Sequence, residues 1–250
     1  MSDGILLRVE NLNKSFGNVL AVNNVSFDLN KGDLLGIIGP NGSGKTTLVN
    51  LVTGFVKPSS GKVIFHGKNV TGARPHTIAN MGMIRTFQMV KPFYRLPAYK
   101  NLVIPLYSPR VRKLRGGKYG ELDTVALDLL EEVGFERDSS VPYKTAGSLP
   151  HGYLKRMELA RAMALRPEII IFDELFSGMS MSEVASTMPI LEKLVEEGIT
   201  MVVIEHRLRE LFRIANRIMV LNFGQKIAEG TPEDVMGLDI VKVAYLGGEG

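Results

Sequence analysis

The sequence predicts an α/β fold in which helices cover a parallel sheet. In the second half of the chain, a helix-like stretch leads into an apolar run three times, and these runs are Ile169–Phe172, Thr200–Ile204 and Ile218–Leu221. Strands that are apolar along their whole length are typical of parallel sheets covered on both faces. The first half holds short alternating strands separated by Asn and Gly, which indicates a separate group of strands.

Four strands are predicted within the first 66 residues. Leu6–Leu12, Val22–Leu29 and Leu34–Ile38 are apolar or alternating, and Lys62–His66 follows a Pro-Ser-Ser-Gly turn. Leu34–Ile38 leads into a glycine-rich loop and then into an apolar helix, Thr46–Thr53.

Three helices are predicted to alternate with the strands of the second half, at Leu154–Leu165, Glu183–Glu197 and Leu208–Ala215. For the second of these helices, Ser182 is the expected N-cap and Gly198 the expected first residue beyond its C-terminal end. Pro189 lies inside the same helix, and we expect it to kink or split the helix because proline has no backbone N–H.

The middle of the chain has a different composition. Residues 91–120 contain four prolines and a Gly-Gly pair, and Thr124–Val133 is strongly helical. We therefore expect residues 90–165 to form an inserted helical subdomain with a loop-rich entrance. Residues 1–89 and 166–250 would then form the core of a single domain that spans residues 1–250.

Composition excludes several classes of protein. The 250 residues are 45% hydrophobic and 22% charged, which excludes a disordered or collagen-like chain. Cysteine is absent, so disulfide frameworks, thiolate metal sites and cysteine nucleophiles are excluded. The net charge of +4 is weak support for a polyanionic partner. No signal peptide and no apolar run of about 18 residues is visible, so we expect a soluble chain that reaches a membrane only through a partner.

The glycine-rich loop carries the strongest motif. Residues 39–46 read Gly-Pro-Asn-Gly-Ser-Gly-Lys-Thr and match G-x-x-x-x-G-K-[ST] between a strand and a helix, a context that an ordinary glycine-rich turn lacks. The backbone N–H groups of such a loop, with the helix N-terminus, bind phosphate oxygens. Lys45 would reach the β- and γ-phosphates, and Thr46 would bind Mg²⁺.

Acidic residues end two of the buried strands. Asp173 and Glu174 follow one strand, and Glu205 and His206 follow the next. Carboxyl ends of parallel strands face the same crevice as the phosphate loop. Asp173 suits the outer shell of Mg²⁺, and Glu174 suits a base that orients or deprotonates water. His206 could contact the γ-phosphate, although a histidine taken alone is more often an ordinary surface residue.

These motifs together resemble the nucleotide-binding subunits of ABC transporters over nearly the whole chain. The resemblance implies a P-loop NTPase core with a mixed sheet, an N-terminal antiparallel β-subdomain and an inserted helical subdomain. It also implies ATP and Mg²⁺ as cofactors, with Thr46, Gln88 and Asp173 as metal-binding residues and Glu174, His206 and Lys45 as catalytic residues. The implied nucleotide-binding residues are Phe16 (stacked on adenine), Val22, Gly39, Pro40, Asn41, Gly42, Ser43, Gly44, Lys45, Thr46, Thr47 and Gln88.

Three segments are similar to the paired ATPases of branched-chain amino acid importers, namely Arg85–Gln88, Ile204–His206 and the tail 244–247. The long middle segment resembles that of the larger of the two paired subunits. This likeness implies membrane permease subunits, a second ABC ATPase that is identical or homologous, and indirectly a substrate-binding protein as partners, with no nucleic acid. It implies a peripheral position on the cytoplasmic face of the cell membrane.

The chain departs from the family pattern at the signature motif, which usually reads Leu-Ser-Gly-Gly-Gln. Here the residues expected to meet the partner chain's ATP in trans are Leu149, Pro150, His151, Gly152 and Tyr153, so the serine hydroxyl is missing. Leu175 replaces a usual proline, and Ser177–Ser180 lacks a usual acid. We expect the first change to weaken the ATP-bound dimer.

Three other functions remain open on the sequence. An exporter ATPase of the lipopolysaccharide type shares the tail, and a non-transport ABC ATPase that acts on DNA or ribosomes shares the core motifs. A P-loop kinase for small molecules shares only the phosphate loop. A basic run over residues 110–118 could bind polyanions, but a solvated loop is the simpler interpretation.

Overall fold

The computed structural model describes residues 4–87, 91–115 and 121–246, so Gln88 and Gly247, the last residue of the predicted tail motif, lie outside the described chain. Its N-terminal sheet has four antiparallel strands in the order β2-β1-β4-β5. These strands are β1 (Ile5–Phe16), β2 (Val19–Asn30), β4 (Ser60–Phe65) and β5 (Lys68–Asn69).

The second sheet has six strands in the order β10-β9-β3-β8-β7-β6. All neighbours in it are parallel except β9 and β10, which pair antiparallel, so the sheet is mixed as the family resemblance implies. Its strands are β3 (Leu34–Ile38), β6 (Met83–Arg85), β7 (Ile169–Asp173), β8 (Thr200–Ile204), β9 (Arg217–Asn222) and β10 (Gln225–Gly230).

Ten α-helices lie within the described residues. They are α1 (Lys45–Val52), α2 (Pro75–Met81), α3 (Ala98–Leu106), α4 (Pro109–Leu114), α5 (Leu122–Glu132), α6 (His151–Ala164), α7 (Met181–Glu196), α8 (Leu208–Ile214), α9 (Pro232–Gly237) and α10 (Asp239–Leu246). None of the described helices is both long and apolar enough to cross a membrane.

Strand β3 shows how the two faces of the large sheet are covered. Leu35 and Ile37 pack with α1 and the N-terminal sheet, whereas Leu34 and Ile38 pack with helices α3 and α5–α7. Successive side chains of a strand point to opposite faces, so a fully apolar strand contributes side chains to the hydrophobic core on each side of the sheet. The phosphate loop follows directly from the end of β3 and leads into α1.

Several predicted boundaries need correction. Helix α7 is capped by Ser180 rather than Ser182, because Ser180 and Glu183 form a reciprocal capping box. The helix continues through Pro189 without a split. Gly198 is confirmed as the residue beyond its end, with φ 75°. The entrance at 91–115 is not a loop, since it contains α3 and α4.

The basic run is also more structured than predicted. The Arg110 guanidinium is largely buried and donates hydrogen bonds to the carbonyl groups of Leu165 and Arg166 and to Glu168, so this charge is not a solvated one. The proposed division of the chain at residues 90 and 165 stays a prediction.

Candidate nucleotide site

The phosphate loop is held tightly against its neighbours. Gly39 has φ 150°, and a Cβ on it would lie 2.1 Å from the carbonyl oxygen of Leu221. Gly44 has φ 100°, and a Cβ there would lie 2.4 Å from the carbonyl oxygen of Ala21. Only glycine accommodates both the left-handed backbone and this close approach. Gly42 faces open space, which leaves the loop accessible to a ligand.

Lys45 is the first residue of α1 and curls back over the loop. Its Nζ donates hydrogen bonds to the carbonyl oxygens of Gly39 (2.8 Å) and Pro40 (2.9 Å). Burial lowers the pKa of Lys45, while the nearby Glu174 and Asp173 carboxylates act to raise it. The ammonium group therefore spans the loop at the place where a β- or γ-phosphate would lie.

Ser43 supplies a second sign that the loop is built for a polar ligand. Its hydroxyl is buried and has no hydrogen-bond partner, although buried polar groups are nearly always paired. A phosphate oxygen would satisfy this hydroxyl. The residues present therefore fit a nucleotide phosphate.

A cleft of about 350 Å³ brings the loop together with Glu174 and His206. The cleft is also lined by Val19, Leu20, Ala21, Thr46, Thr47 and Phe223. Exposed apolar side chains of β2 and the β9–β10 turn thus form one wall beside the loop. Phe223 is 85% exposed, and it is not among the predicted site residues.

Two predicted nucleotide contacts lie differently from expectation. Val22 is 1% exposed and belongs to the core between the sheets, so its side chain does not reach the cleft, and the alternation of β2 presents Ala21 instead. Phe16 is half exposed at the end of β1, and the Lys14 Nζ lies 5.0 Å from its ring centroid. Phe16 does not line the cleft itself.

Glu174 and His206 meet across neighbouring strand ends. Because β7 and β8 pair in parallel, Asp173 lies opposite Ile204, so Glu174, one residue after the first, and His206, two residues after the second, leave the sheet side by side. The Nε2 of His206 lies 3.2 Å from Oε1 of Glu174. The carboxylate and the imidazole thus form a pair at the edge that faces the phosphate loop.

Asp173 is buried and paired with Arg85, which is not among the predicted site residues. The Arg85 guanidinium donates to Oδ2 of Asp173 at 2.6 Å and to Oδ1 of Asn50 at 2.5 Å. It also lies over the rings of Phe55 and Phe87. A basic residue at the end of the short apolar strand β6 was the available sequence signal.

Glu205 is a second residue that the predicted site lacks. It is 3% exposed and accepts hydrogen bonds from the backbone N–H groups of Phe176 and His206. Burial raises its pKa from 4.5 to about 7, against the opposing effect of these two N–H groups. Glu205 thus ties the segment after Glu174 to the segment that carries His206.

The signature residues lie at the start of α6 and do not line the cleft of their own chain. Pro150 is the N-cap and provides no side-chain cap. The N–H of Gly152 donates to Oε1 of Glu183 at 3.0 Å, so this amide already has an acidic partner within the chain. Tyr153 packs edge-on against Phe135, with ring centroids 5.0 Å apart.

The C-terminal helix α10 reaches the phosphate loop. Val243 and Ala244 line one pocket with Pro40–Ser43, and burial raises the pKa of Tyr245 while the backbone N–H of Gly39 acts to lower it. The tail residues therefore contact the loop that binds phosphate.

Comparison with known families decides what this arrangement belongs to. The family described as "ABC transporter" matches residues 22–177, which include the phosphate loop, the signature position and the strand that ends in Asp173 and Glu174. The chain belongs to the ABC transporter family. It is therefore an ATP-binding cassette, the ATPase component that powers a transporter.

Curated relatives match the ABC cassette over almost its full length. It is 34% identical to the high-affinity branched-chain amino acid transport ATP-binding protein BraF of Pseudomonas aeruginosa, over 97% of this chain and 98% of the relative. It is 34% identical to LivG of Escherichia coli, with the same two coverages. A probable LivG of Methanocaldococcus jannaschii is 36% identical, over 92% of this chain and 91% of the relative.

Solved structures of ABC cassettes share the fold. An ATP-binding cassette in its ADP conformation superposes with a TM-score of 0.81 at 32% identity, over 97% of this chain and 99% of that one. A dimeric bacterial ABC transporter cassette superposes with a TM-score of 0.79 at 28% identity, over 90% and 98%. The predicted ABC ATPase fold is thus confirmed.

Proposed function

We propose that this cassette is the ATP-hydrolysing subunit of an importer for branched-chain or related amino acids. The observation that carries the proposal is the Glu174–His206 pair, which faces the phosphate loop in one cleft. The relatives that cover nearly the whole chain are named as ATP-binding proteins for branched-chain amino acid transport, and their names support this substrate class.

ATP would bind to positively polarised groups that the loop already presents, namely its backbone N–H groups and the ammonium group of Lys45. The N–H groups of the loop and of the first turn of α1 would receive the phosphate oxygens. Lys45 would exchange its bonds to the Gly39 and Pro40 carbonyl groups for bonds to the β- and γ-phosphates. Bonds from the ammonium group to charged phosphate oxygens are stronger than its bonds to the uncharged carbonyl oxygens that they replace.

Mg²⁺ fits the site only together with ATP. The described residues include no group of three or more His, Cys, Asp or Glu that could hold a metal ion. Mg²⁺ usually takes one or two protein ligands, with substrate phosphates and waters completing the octahedron. Thr46 and Asp173 would hold it, as would Gln88. When bound, the ion neutralises charge that develops on the phosphate oxygens.

Hydrolysis requires a water placed between the pair and the γ-phosphate. Glu174 would accept a proton from this water as its oxygen forms a bond to the γ-phosphorus. The bond between that phosphorus and the β–γ bridging oxygen breaks, and ADP leaves with the electron pair. His206, 3.2 Å from Glu174, would hold the γ-phosphate and keep the carboxylate oriented.

We propose a head-to-tail dimer with a second cassette, identical or homologous. Each ATP would lie between the phosphate loop of one chain and residues 149–153 of the other. Closure of this dimer would move two membrane permeases on the cytoplasmic face of the membrane, and a substrate-binding protein would take part indirectly. A dimeric structure exists for a cassette of the same fold, which supports this assembly.

Glu174→Gln tests the catalytic assignment. The variant should bind ATP normally but hydrolyse it at least ~100-fold more slowly, because the water loses its base. Steady-state phosphate release and calorimetric ATP affinity measure the two effects. Glu197→Gln, an exposed residue beyond the end of α7, is the matched control and should keep its turnover. A Glu174→Gln variant with wild-type turnover would refute the assignment.

Transport assays test the substrate. The cassette, its partner cassette and the permeases encoded beside it can be reconstituted in vesicles with the cognate binding protein. We expect ATP-dependent uptake of radiolabelled leucine, isoleucine or valine. Outward movement of lipopolysaccharide with no amino acid uptake would assign the complex to the exporters instead.

A further inference from the structure

Glu174 has an unusual backbone conformation. Its φ is 56°, in the left-handed region that residues with a Cβ adopt only at an energetic cost. Such a conformation persists where the surrounding structure over-determines it, and it concentrates at functional sites. Some contacts must therefore hold this residue in place.

Three hydrogen bonds fix the backbone of Glu174. Its N–H donates to the carbonyl of Ile204 at 2.9 Å, and its own carbonyl accepts from the N–H of Ser177 at 3.1 Å. These two bonds come from the neighbouring strand and from the turn that follows. The third comes from a different element, because Nζ of Lys155 on α6 donates to the same carbonyl at 3.4 Å.

Lys155 is buried where it makes this contact, so its ammonium group loses the stabilising hydration that it would have at the surface. It is 1% exposed, and burial lowers its pKa, although the charges of four carboxylates act to raise it. These carboxylates are Glu158, Glu205, Glu174 and Asp173. A buried ammonium group is retained only where charges and hydrogen bonds compensate for the lost water.

We propose that Lys155 is a positioning residue for hydrolysis, which holds the Glu174 backbone left-handed so that its carboxylate stays beside His206. This inference rests on the proposed role of Glu174 as the base. It also assigns a route between the two ATP sites of a dimer. Helix α6 begins with the signature of its own chain, which would meet the partner's ATP, and Lys155 lies about one turn later.

The consequence is that a shift of α6 on binding the partner's ATP moves the base in its own site. The Gly152–Glu183 hydrogen bond would pass the same shift to the start of α7. Nucleotide at one site thus changes the rate of hydrolysis at the other.

Lys155→Met tests the inference. We expect kcat to fall by about 10- to 100-fold, as for a small displacement of a reacting group, while the KM for ATP stays within about twofold. Lys155→Arg should restore most of kcat, since a guanidinium can donate to the same carbonyl. Arg156→Met is the matched control, because Arg156 is the next cation on α6 and contacts Gly134 rather than the catalytic turn.

A second experiment distinguishes a role in positioning Glu174 from a general loss of structure. On the Glu174→Gln background, Lys155→Met should cause no further loss of the residual rate, because Lys155 acts through Glu174. If Lys155→Met does not fold, Lys155→Gln replaces it, with a shorter donor and the same expected split between kcat and KM.

Three outcomes would each overturn the inference. The first is an unchanged kcat in folded Lys155→Met, and the second is an equal loss of kcat in Lys155→Met and Lys155→Arg. The third is a further loss of rate when Lys155→Met is added to Glu174→Gln. A Glu174→Gln variant that keeps wild-type turnover would instead refute the proposed function.

Discussion

At the scale of single residues, three carboxylates at the ends of β7 and β8 have three different environments. Asp173 is paired with a guanidinium, Glu174 faces an imidazole, and Glu205 is buried against backbone N–H groups. Different environments give chemically similar groups different roles. Because burial raises the pKa of Glu205 to about 7, its contribution to stability should change measurably with pH.

Glu205→Gln should change how stability depends on pH. The folded pKa is raised from 4.5 to about 7, so between these values the folded chain keeps a proton that the unfolded chain releases. Stability from this group is therefore present at low pH and falls as pH rises through that window, by up to ~1.4 kcal/mol per pH unit.

Urea unfolding at pH 5.5 and 7.5 measures this effect. Relative to the variant, the wild type should lose about 2 kcal/mol more of its unfolding free energy over this interval. Glu233→Gln, in the first turn of α9, is the control and should behave like the wild type. An identical pH dependence in wild type and Glu205→Gln would show that Glu205 titrates normally.

At the scale of elements, the first turns of α6 and α7 are joined through one carboxylate. Glu183 completes the capping box of α7 with Ser180 and also receives the N–H of Gly152 in α6. A Cβ on Gly152 would lie 2.2 Å from Oε1 of Glu183, so only glycine fits there. The two segments expected to face the partner chain therefore move together.

Pro150→Ser should tighten the ATP-bound dimer. Pro150 gives α6 no side-chain cap, and the Gly152 amide is already bound to Glu183, so the free chain offers a phosphate few donors here. A hydrogen bond to a charged group contributes roughly 1.5–3 kcal/mol, which corresponds to about a ten- to hundredfold change in affinity.

Sedimentation of the dimer with ATP, in the Glu174→Gln background, measures the effect of Pro150→Ser. Pro150→Ala is the control, because it removes the ring without adding a hydroxyl. An equal or weaker dimer in the Ser variant would mean that another group already supplies the donor.

At the scale of the whole molecule, the cleft holds only part of a nucleotide site. The phosphate loop, Glu174 and His206 share one cleft, whereas residues 149–153 lie elsewhere on the same chain. The proposed head-to-tail dimer would resolve this separation, because each chain would then supply a complementary half to both sites.

Mixing two inactive variants tests the head-to-tail arrangement. Lys45→Ala should lose ATP binding in its own loop, and His151→Asp, at an exposed signature residue, should place a negative charge where the partner's γ-phosphate would lie. In a mixed dimer both changes fall in one site and the other site is intact. We expect each variant alone to be inactive and the mixture to regain measurable ATPase activity.

Regained activity would also show that both variants fold, which makes the mixture its own control. A mixture as inactive as its components, with mixed dimers demonstrated by differential tags, would contradict the shared site.

The strands and the phosphate loop were predictable from the sequence because local signals determine them. The predicted bounds of β3 and β8 agree with the structure, since these fully apolar runs are buried on both faces. The loop-rich entrance was wrong, because the prolines at 97 and 109 stand at helix N-termini, where a missing N–H costs little.

The side-chain partners of the site were beyond the reach of sequence patterns. Arg85 and Asp173 are 88 positions apart, and Lys155 and Glu174 are 19 positions apart on different elements. Whether two distant groups meet depends on strand order and helix packing, which no local periodicity encodes. Val22 was assigned to the nucleotide through the family resemblance alone, whereas the alternation of β2 turns its side chain into the core.

The sequence by itself determined that this chain has a phosphate loop between a buried strand and a helix, with acidic strand ends at the same edge. Those features follow from spacing and polarity along the chain. Only the tertiary structure decided which cation meets which carboxylate, that Glu205 is buried, and that α6 touches the backbone of Glu174. These depend on desolvation and on contacts between elements, and both arise only when the separate segments pack together.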